Sequence, residues 1–219
     1  MKKIIIIIVV LLLSLDSKAN DSTTTHFEVS ASMLYWHPLS SHMIGPDNHL
    51  LFEYAAFYGF GNTIAPSLNI NYYFNNGIGL SFGYNYLHLE KTESNKTNTA
   101  ILHNLRLGLG ARIFDKSLVS ISFFAGINTV AHYDLEMPLK FINSEGLYLT
   151  ADGYAFGAFF SAEANFHIYK SFFIHTSLDY SYIPTELKYS AVYTDIPITQ
   201  TEKTNIGGLG ILLGVGYQF

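Results

Sequence analysis

Residues 154–168 read YAFGAFFSAEANFHI. Taken alternately, Tyr154, Phe156, Ala158, Phe160, Ala162, Ala164, Phe166 and Ile168 share one face, while Gly157, Ser161, Glu163 and Asn165 share the other. Successive side chains of an extended chain point to opposite sides, so a period of two predicts a strand with one apolar face. The run exceeds the usual strand length of about 5–6 residues. It also exceeds the roughly 9–11 residues that a tilted strand needs to cross a bilayer.

The same alternation recurs from Phe27 to Tyr35, Ile64 to Phe74, Ile78 to Tyr86, Ile101 to Ile113, Val119 to Thr129, Phe172 to Tyr182 and Leu209 to Phe219. No Asp, Glu, Lys or Arg stands on the apolar face of any of these segments. A soluble sandwich would load its opposite face with Lys, Glu and Thr. Here that face is Gly, Ser and Asn with few charges, which suits a narrow interior. The apolar face is therefore expected to meet lipid. The predicted fold class is all-β, an eight-stranded antiparallel up-and-down transmembrane β-barrel.

Connection lengths support this reading. Asn75-Asn76-Gly77, Asp115-Lys116-Ser117 and Tyr169-Lys170-Ser171 are short turns, and the polar stretches 38–62, 91–98, 134–152 and 184–204 are read as long loops between them. Strict alternation of short and long connections is the asymmetry of outer-membrane barrels. Residues 50–60 are read as strand-like structure within the first loop. Tyr72, Phe74, Phe166, Phe172, Tyr217 and Phe219 gather near the short turns and Tyr35, Tyr84, Tyr86, Tyr154, Tyr180 and Tyr182 toward the loops, two girdles at the levels of the membrane interfaces.

The composition agrees. Of 219 residues, 49% are hydrophobic, 16% aromatic and only 13% charged, which is poor for a disordered chain or a cytosolic enzyme. Zero cysteines exclude disulfides, thiolate metal sites and a Cys nucleophile. A formal charge of −5 without a basic patch argues against nucleic acid as a partner. At the N-terminus, Lys2 and Lys3 precede an apolar run from Ile4 to Leu13, followed by Ser17-Lys18-Ala19. This pattern predicts a cleaved secretory signal over residues 1–19, with the barrel occupying 20–219.

The ending LGILLGVGYQF, residues 209–219, resembles the C-terminal signal of bacterial outer-membrane proteins, alternating apolar residues that close on Tyr217-x-Phe219. With the strand count and the leader, the chain resembles the small eight-stranded Gram-negative barrels that include the OmpA membrane domain and OmpX-like surface proteins. That resemblance implies the outer membrane as location, a barrel assembly machinery reading Tyr217 and Phe219, and outer-membrane lipid and lipopolysaccharide as surroundings.

Eight strands enclose a space just filled by side chains. Both arginines of the chain, Arg106 and Arg112, fall on the inward face, as do Glu163, Asp179 and Glu28. Unpartnered charge is costly away from water, so these five are expected to form a luminal charge network that plugs the barrel. A narrow channel or porin is the alternative. His175-Thr176-Ser177 resembles locally the His and Ser of outer-membrane lipid A deacylases, yet Leu178 and Asp179 stand where that family has Asn and Gly, and both residues face inward. The expected protein is not an enzyme. The nine histidines show no ligand spacing, and no cofactor or metal is expected. Binding is assigned to the outer loops, with the first loop richest: Phe52, Glu53, Tyr54, Phe57, Tyr58 and Phe60 form an aromatic set suited to protein or sugar. The expected role is envelope structure, or recognition of host and surface ligands by these loops.

Overall fold

The computed structural model describes residues 26–39, 61–93, 96–138, 148–169, 171–193 and 196–219. The segment read as a signal, most of the first loop, and its aromatic set from Phe52 to Phe60 lie outside these residues. Ten strands form one sheet: β1 His26–Pro38, β2 Thr63–Tyr73, β3 Ile78–Glu93, β4 Lys96–Asp115, β5 Val119–Pro138, β6 Tyr148–Tyr169, β7 Phe172–Tyr182, β8 Pro184–Tyr193, β9 Ile196–Asn205 and β10 Gly208–Gln218. Eight of them close a barrel, each paired antiparallel with its neighbour in the order β1 to β7 and then β10, which returns to β1. No helix among the described residues is long and apolar enough to cross a membrane.

The stagger can be read from the pairings. Starting at Ser32 and stepping through Ser67, Asn85 and Asn104, the register reaches Val130 on β5. Stepping the other way through Gly214, His175 and Asn165, it reaches Ser120 on the same strand, ten residues away. With a rise of about 3.3 Å per residue and strands about 4.8 Å apart, ten residues of stagger over eight strands tilts them by about 40° around a backbone radius of about 8 Å.

The polar stretch 184–204 is not an irregular loop. It is a hairpin, β8 with β9, in register from Pro184↔Asn205 to Tyr193↔Ile196, and β8 joins β6 at Thr150↔Ser190. Two of the other three long connections are likewise shorter than expected from the sequence: β3 and β4 stay paired to Glu93↔Lys96, and β5 and β6 to Pro138↔Tyr148. Thr favours strands and charged residues are tolerated in them beside a neighbouring ladder, and hydrophobic alternation does not register either. Beyond the barrel proper, β3, β4, β5, β6, β8 and β9 thus continue as one wall. At the opposite end the turns are tight. Gly77 takes φ +79° and donates to the Phe74 carbonyl at 2.9 Å, while the Asn76 side chain accepts from Ile78 N at 3.1 Å.

The outer surface is apolar: Met33, Leu107, Ile127 and Leu213 are each more than half exposed. Aromatic rings bracket this band. Near the short turns Phe27 packs on Phe219, Tyr217 on Phe219 and Phe172 on Tyr217, with centroids 4.7–5.7 Å apart. Leu213→Arg, in the middle of the band, is expected to cost about 2–4 kcal/mol. Equilibrium denaturant titration in lipid vesicles would measure this; an unchanged midpoint would mean that the band does not face hydrocarbon.

Candidate functional site

The inward faces meet in a lumen holding two ion pairs at different levels. The upper one joins Arg106 of β4 to Asp179 of β7 through Nη1 and Oδ2. Arg106 Nη2 also donates to Asn69 Oδ1 at 2.7 Å, and the guanidinium lies 5.3 Å from the Phe159 ring centre. The other Asp179 oxygen accepts from Ser161 Oγ at 2.7 Å and Ser177 Oγ at 3.0 Å. Gly83 makes room for the fork: a Cβ there would stand 2.8 Å from both Arg106 Nε and Asn69 Oδ1.

The lower pair joins Arg112 Nη2 to Glu28 Oε1, with the guanidinium 3.8 Å from the Tyr73 ring centre. Glu28 Oε2 accepts from Asn165 Nδ2 at 2.9 Å. Asn165 Oδ1 in turn lies 2.8 Å from His175 Nδ1, which makes that nitrogen the donor. Glu163 sits between the levels and accepts from Asn71 Nδ2 at 2.8 Å, with Ser161 Oγ at 3.4 Å from its other oxygen. Among the described residues it has no guanidinium within ion-pair distance, and the Asn71 amide is the donor that holds it, because the single Ser161 hydroxyl proton goes to Asp179. A buried carboxylate needs hydrogen bonds to replace water, and the Asn71 amide supplies one of them.

His175 and Ser177 do not meet as base and nucleophile. Ser177 donates to Asp179, His175 is held by Asn165, and both side chains are buried. The geometry that hydroxyl activation requires is absent from this pair. His132 and Asp134 point outward and Tyr133 inward, so those three consecutive residues share no face. Of the first-loop histidines, His37 is described, with Nδ1 2.6 Å from Asn62 Oδ1; His42 and His49 are not.

A feature the sequence reading passed over is an apolar layer inside the barrel, above the charges. Leu34, Trp36, Ala65, Leu87, Leu89, Ala100, Leu102, Val130, Tyr133, Ala155, Ile183, Ile206 and Leu212 form one buried cluster. The sequence predicts an inward face of Gly, Ser and Asn, but that face turns aliphatic toward the loop end. Parity carried past Tyr86 would have shown it, because Leu87 and Leu89 occupy the inward positions. Tyr73, Phe124 and Phe159 form a second buried group lower down.

No family model matches the chain and no curated protein matches it in sequence. In structure it is similar to a major outer membrane protein from Thermus thermophilus (TM-score 0.58, 10% identity, 90% of this chain and 100% of that one). It is also similar to outer membrane protein AlkL, solved in DMPC lipid bilayers (TM-score 0.53, 14% identity, 93% and 94%). Neisserial surface protein A is a third (TM-score 0.50, 12% identity, 89% and 97%). At these identities the likeness is one of fold. The chain is a small eight-stranded antiparallel β-barrel of the outer-membrane type.

Proposed function

We propose that the protein is an integral barrel of the bacterial outer membrane whose lumen is plugged by its own side chains and whose extracellular segments carry its role, in envelope structure or in surface recognition. One observation carries the first half: inward residues are buried at every level, from Glu28 through Arg106 and Asn128 to Leu34 and Leu102, each at 4% exposure or less. A hydrated pore would leave its lining accessible. The apolar layer adds a second barrier, since an ion passing Leu34, Leu87 and Leu102 would shed water with nothing to replace it. In this reading the charge network of Arg106, Arg112, Glu163, Asp179 and Glu28 orders the barrel and carries no traffic, and the extracellular contacts fall to the wall above the membrane and to the first loop. Phe52, Glu53, Tyr54, Phe57, Tyr58 and Phe60 remain the residues proposed for contact with a surface ligand, and Tyr217 and Phe219 those proposed for recognition during assembly.

Purified protein in a planar bilayer is expected to show no steady conductance; reproducible single-channel steps would overturn the plug and favour the narrow-channel reading. Replacing residues 38–62 by a short linker separates the two extracellular roles. Surface recognition predicts loss of adhesion with the barrel intact, and envelope structure predicts unchanged adhesion with detergent sensitivity only on deletion of the whole chain. Asp179→Ala leaves Arg106 buried without its carboxylate and is expected to destabilise the barrel by about 3–5 kcal/mol. The exposed Lys203–Glu186 pair, at 3.6 Å, is expected to contribute nothing measurable when Lys203 is replaced by Ala. Fluorescence of Trp36, the one tryptophan, follows both titrations.

A further inference from the structure

On the outer face, where β4 meets β5 at the loop end of the apolar band, two imidazoles stand opposite each other. His103 pairs with His132, and their ring centroids are 6.4 Å apart. A β-bulge produces this arrangement. Asn104 pairs with Val130 and His103 with His132, so Ala131 is passed over, and on the other ladder Val130 pairs with Ala155 and Tyr133 with Gly153. Plain alternation from Thr129 would turn His132 inward and set Ala131 against His103. The extra residue reverses that parity, which is how a bulge re-aims a side chain. Residues directly opposite on an antiparallel pair have Cβ atoms about 4.5–5.5 Å apart, so the two rings share one patch of surface.

His103 is held from the β3 side, away from His132. Its Nδ1 lies 3.0 Å from Tyr84 Oη, and the Tyr86 ring meets it edge-on at 5.2 Å. The bond at Nδ1 fixes the ring and leaves Nε2 as its open corner. Among the described residues nothing hydrogen-bonds His103 Nε2 or either ring nitrogen of His132. One step toward the loops, Asp134 of β5 pairs with Asp152 of β6, and both are exposed. Like charges placed directly opposite repel each other, and together they lay a negative field beside the imidazoles.

We propose that His103 and His132 form a surface site for a divalent transition-metal ion of the class that imidazole prefers, zinc or copper, with water completing its coordination. The two carboxylates favour a cation here over a lipid phosphate, which the same field would repel. With metal–nitrogen bonds of about 2.0–2.1 Å, two imidazoles on one ion have ring centroids roughly 5–6 Å apart. The observed spacing reaches that range with a small swing of the exposed His132 ring. Tyr84 Oη accepts the Nδ1 proton of His103, the outer contact by which a ligating histidine keeps its tautomer and its aim. Among the described residues no group of three or more His, Asp or Glu is arranged to hold a metal, so this is an open site with two protein ligands.

The test is a titration of zinc chloride into the full chain in lipid nanodiscs, followed by NMR at the individual imidazole rings, which keeps the other histidines apart. The His103 and His132 signals are expected to move together and to saturate with one shared midpoint. In His103→Ala the movement of His132 should be lost over the same range, and in His132→Ala that of His103. Tyr84→Phe keeps both ligands and removes the outer contact, so the midpoint should rise about tenfold. Rings that do not respond would overturn the proposal, as would a His132 response unchanged by His103→Ala; the pair would then be interfacial girdle and nothing more. If His103→Ala does not fold, the exposed position decides alone, through the His103 signal in His132→Ala. Neither result bears on conductance, so the plug and the metal site stand or fall separately.

Discussion

Everything in this molecule rests on closure. A strand at membrane depth has no water to satisfy its N–H and C=O groups, so each must find a partner on a neighbouring strand, and the sheet has to return to its own first edge. The return is made where β10 meets β1, from Glu28↔Gln218 to Pro38↔Gly208, and it runs to the last residue, with Phe219 N donating to the Phe27 carbonyl at 2.8 Å. The stagger of ten residues at which it closes sets the tilt and the bore together. A bore of this size has room for side chains and little else. The filled lumen thus follows from the same geometry that satisfies the backbone.

Given that bore, the interior has to solve a charge problem. Both guanidiniums point into it, and each is met on three counts: a carboxylate, an aromatic face and a further polar neighbour, Asn69 for Arg106 and Asp115 at 3.5 Å for Arg112. The partners come from strands distant in sequence, Arg106 with Asp179 and Arg112 with Glu28, so each ion pair ties together strands that do not share a backbone ladder. Breaking one pair removes a cross-tie and strands a charge at once. A buried pair adds little to stability over an apolar filling of the same shape, while removing one partner is costly.

Much of this was legible in the sequence. Tyr154 to Ile168 and its seven counterparts declare strands with an oily side, and the absence of any Asp, Glu, Lys or Arg there declares which side meets lipid. The inward placement of Arg106, Arg112, Glu28, Glu163 and Asp179 follows from the same parity. Their pairing does not, because alternation fixes a side and not a height. Height depends on the stagger, which only the register reveals, and this is why Glu163 could be placed on the inner face yet not given to Asn71. The hairpin of β8 and β9 was hidden for a related reason. Strands beyond the bilayer have no lipid to select their outer residues, so Thr185, Glu186, Lys203 and Thr204 carry no oily stripe. The aliphatic layer escapes a reading that follows only the small and polar residues of the inward face, because Leu34, Ala65, Leu102 and Leu212 interrupt them inside the segments and Leu87 and Leu89 lie just past the end of one.

The uneven strand lengths give the molecule a bearing. β4, β5 and β6 are 20–22 residues long, and β1, β2, β7 and β10 only 11–13. Seen from the loop end, the strands of the described residues form a horseshoe: a palisade running from β3 round to β9, with the shorter β10, β1 and β2 between its ends. A barrel otherwise near cylindrical therefore has a front and a back. Two neighbours diffusing in the same membrane meet differently according to which way each is turned.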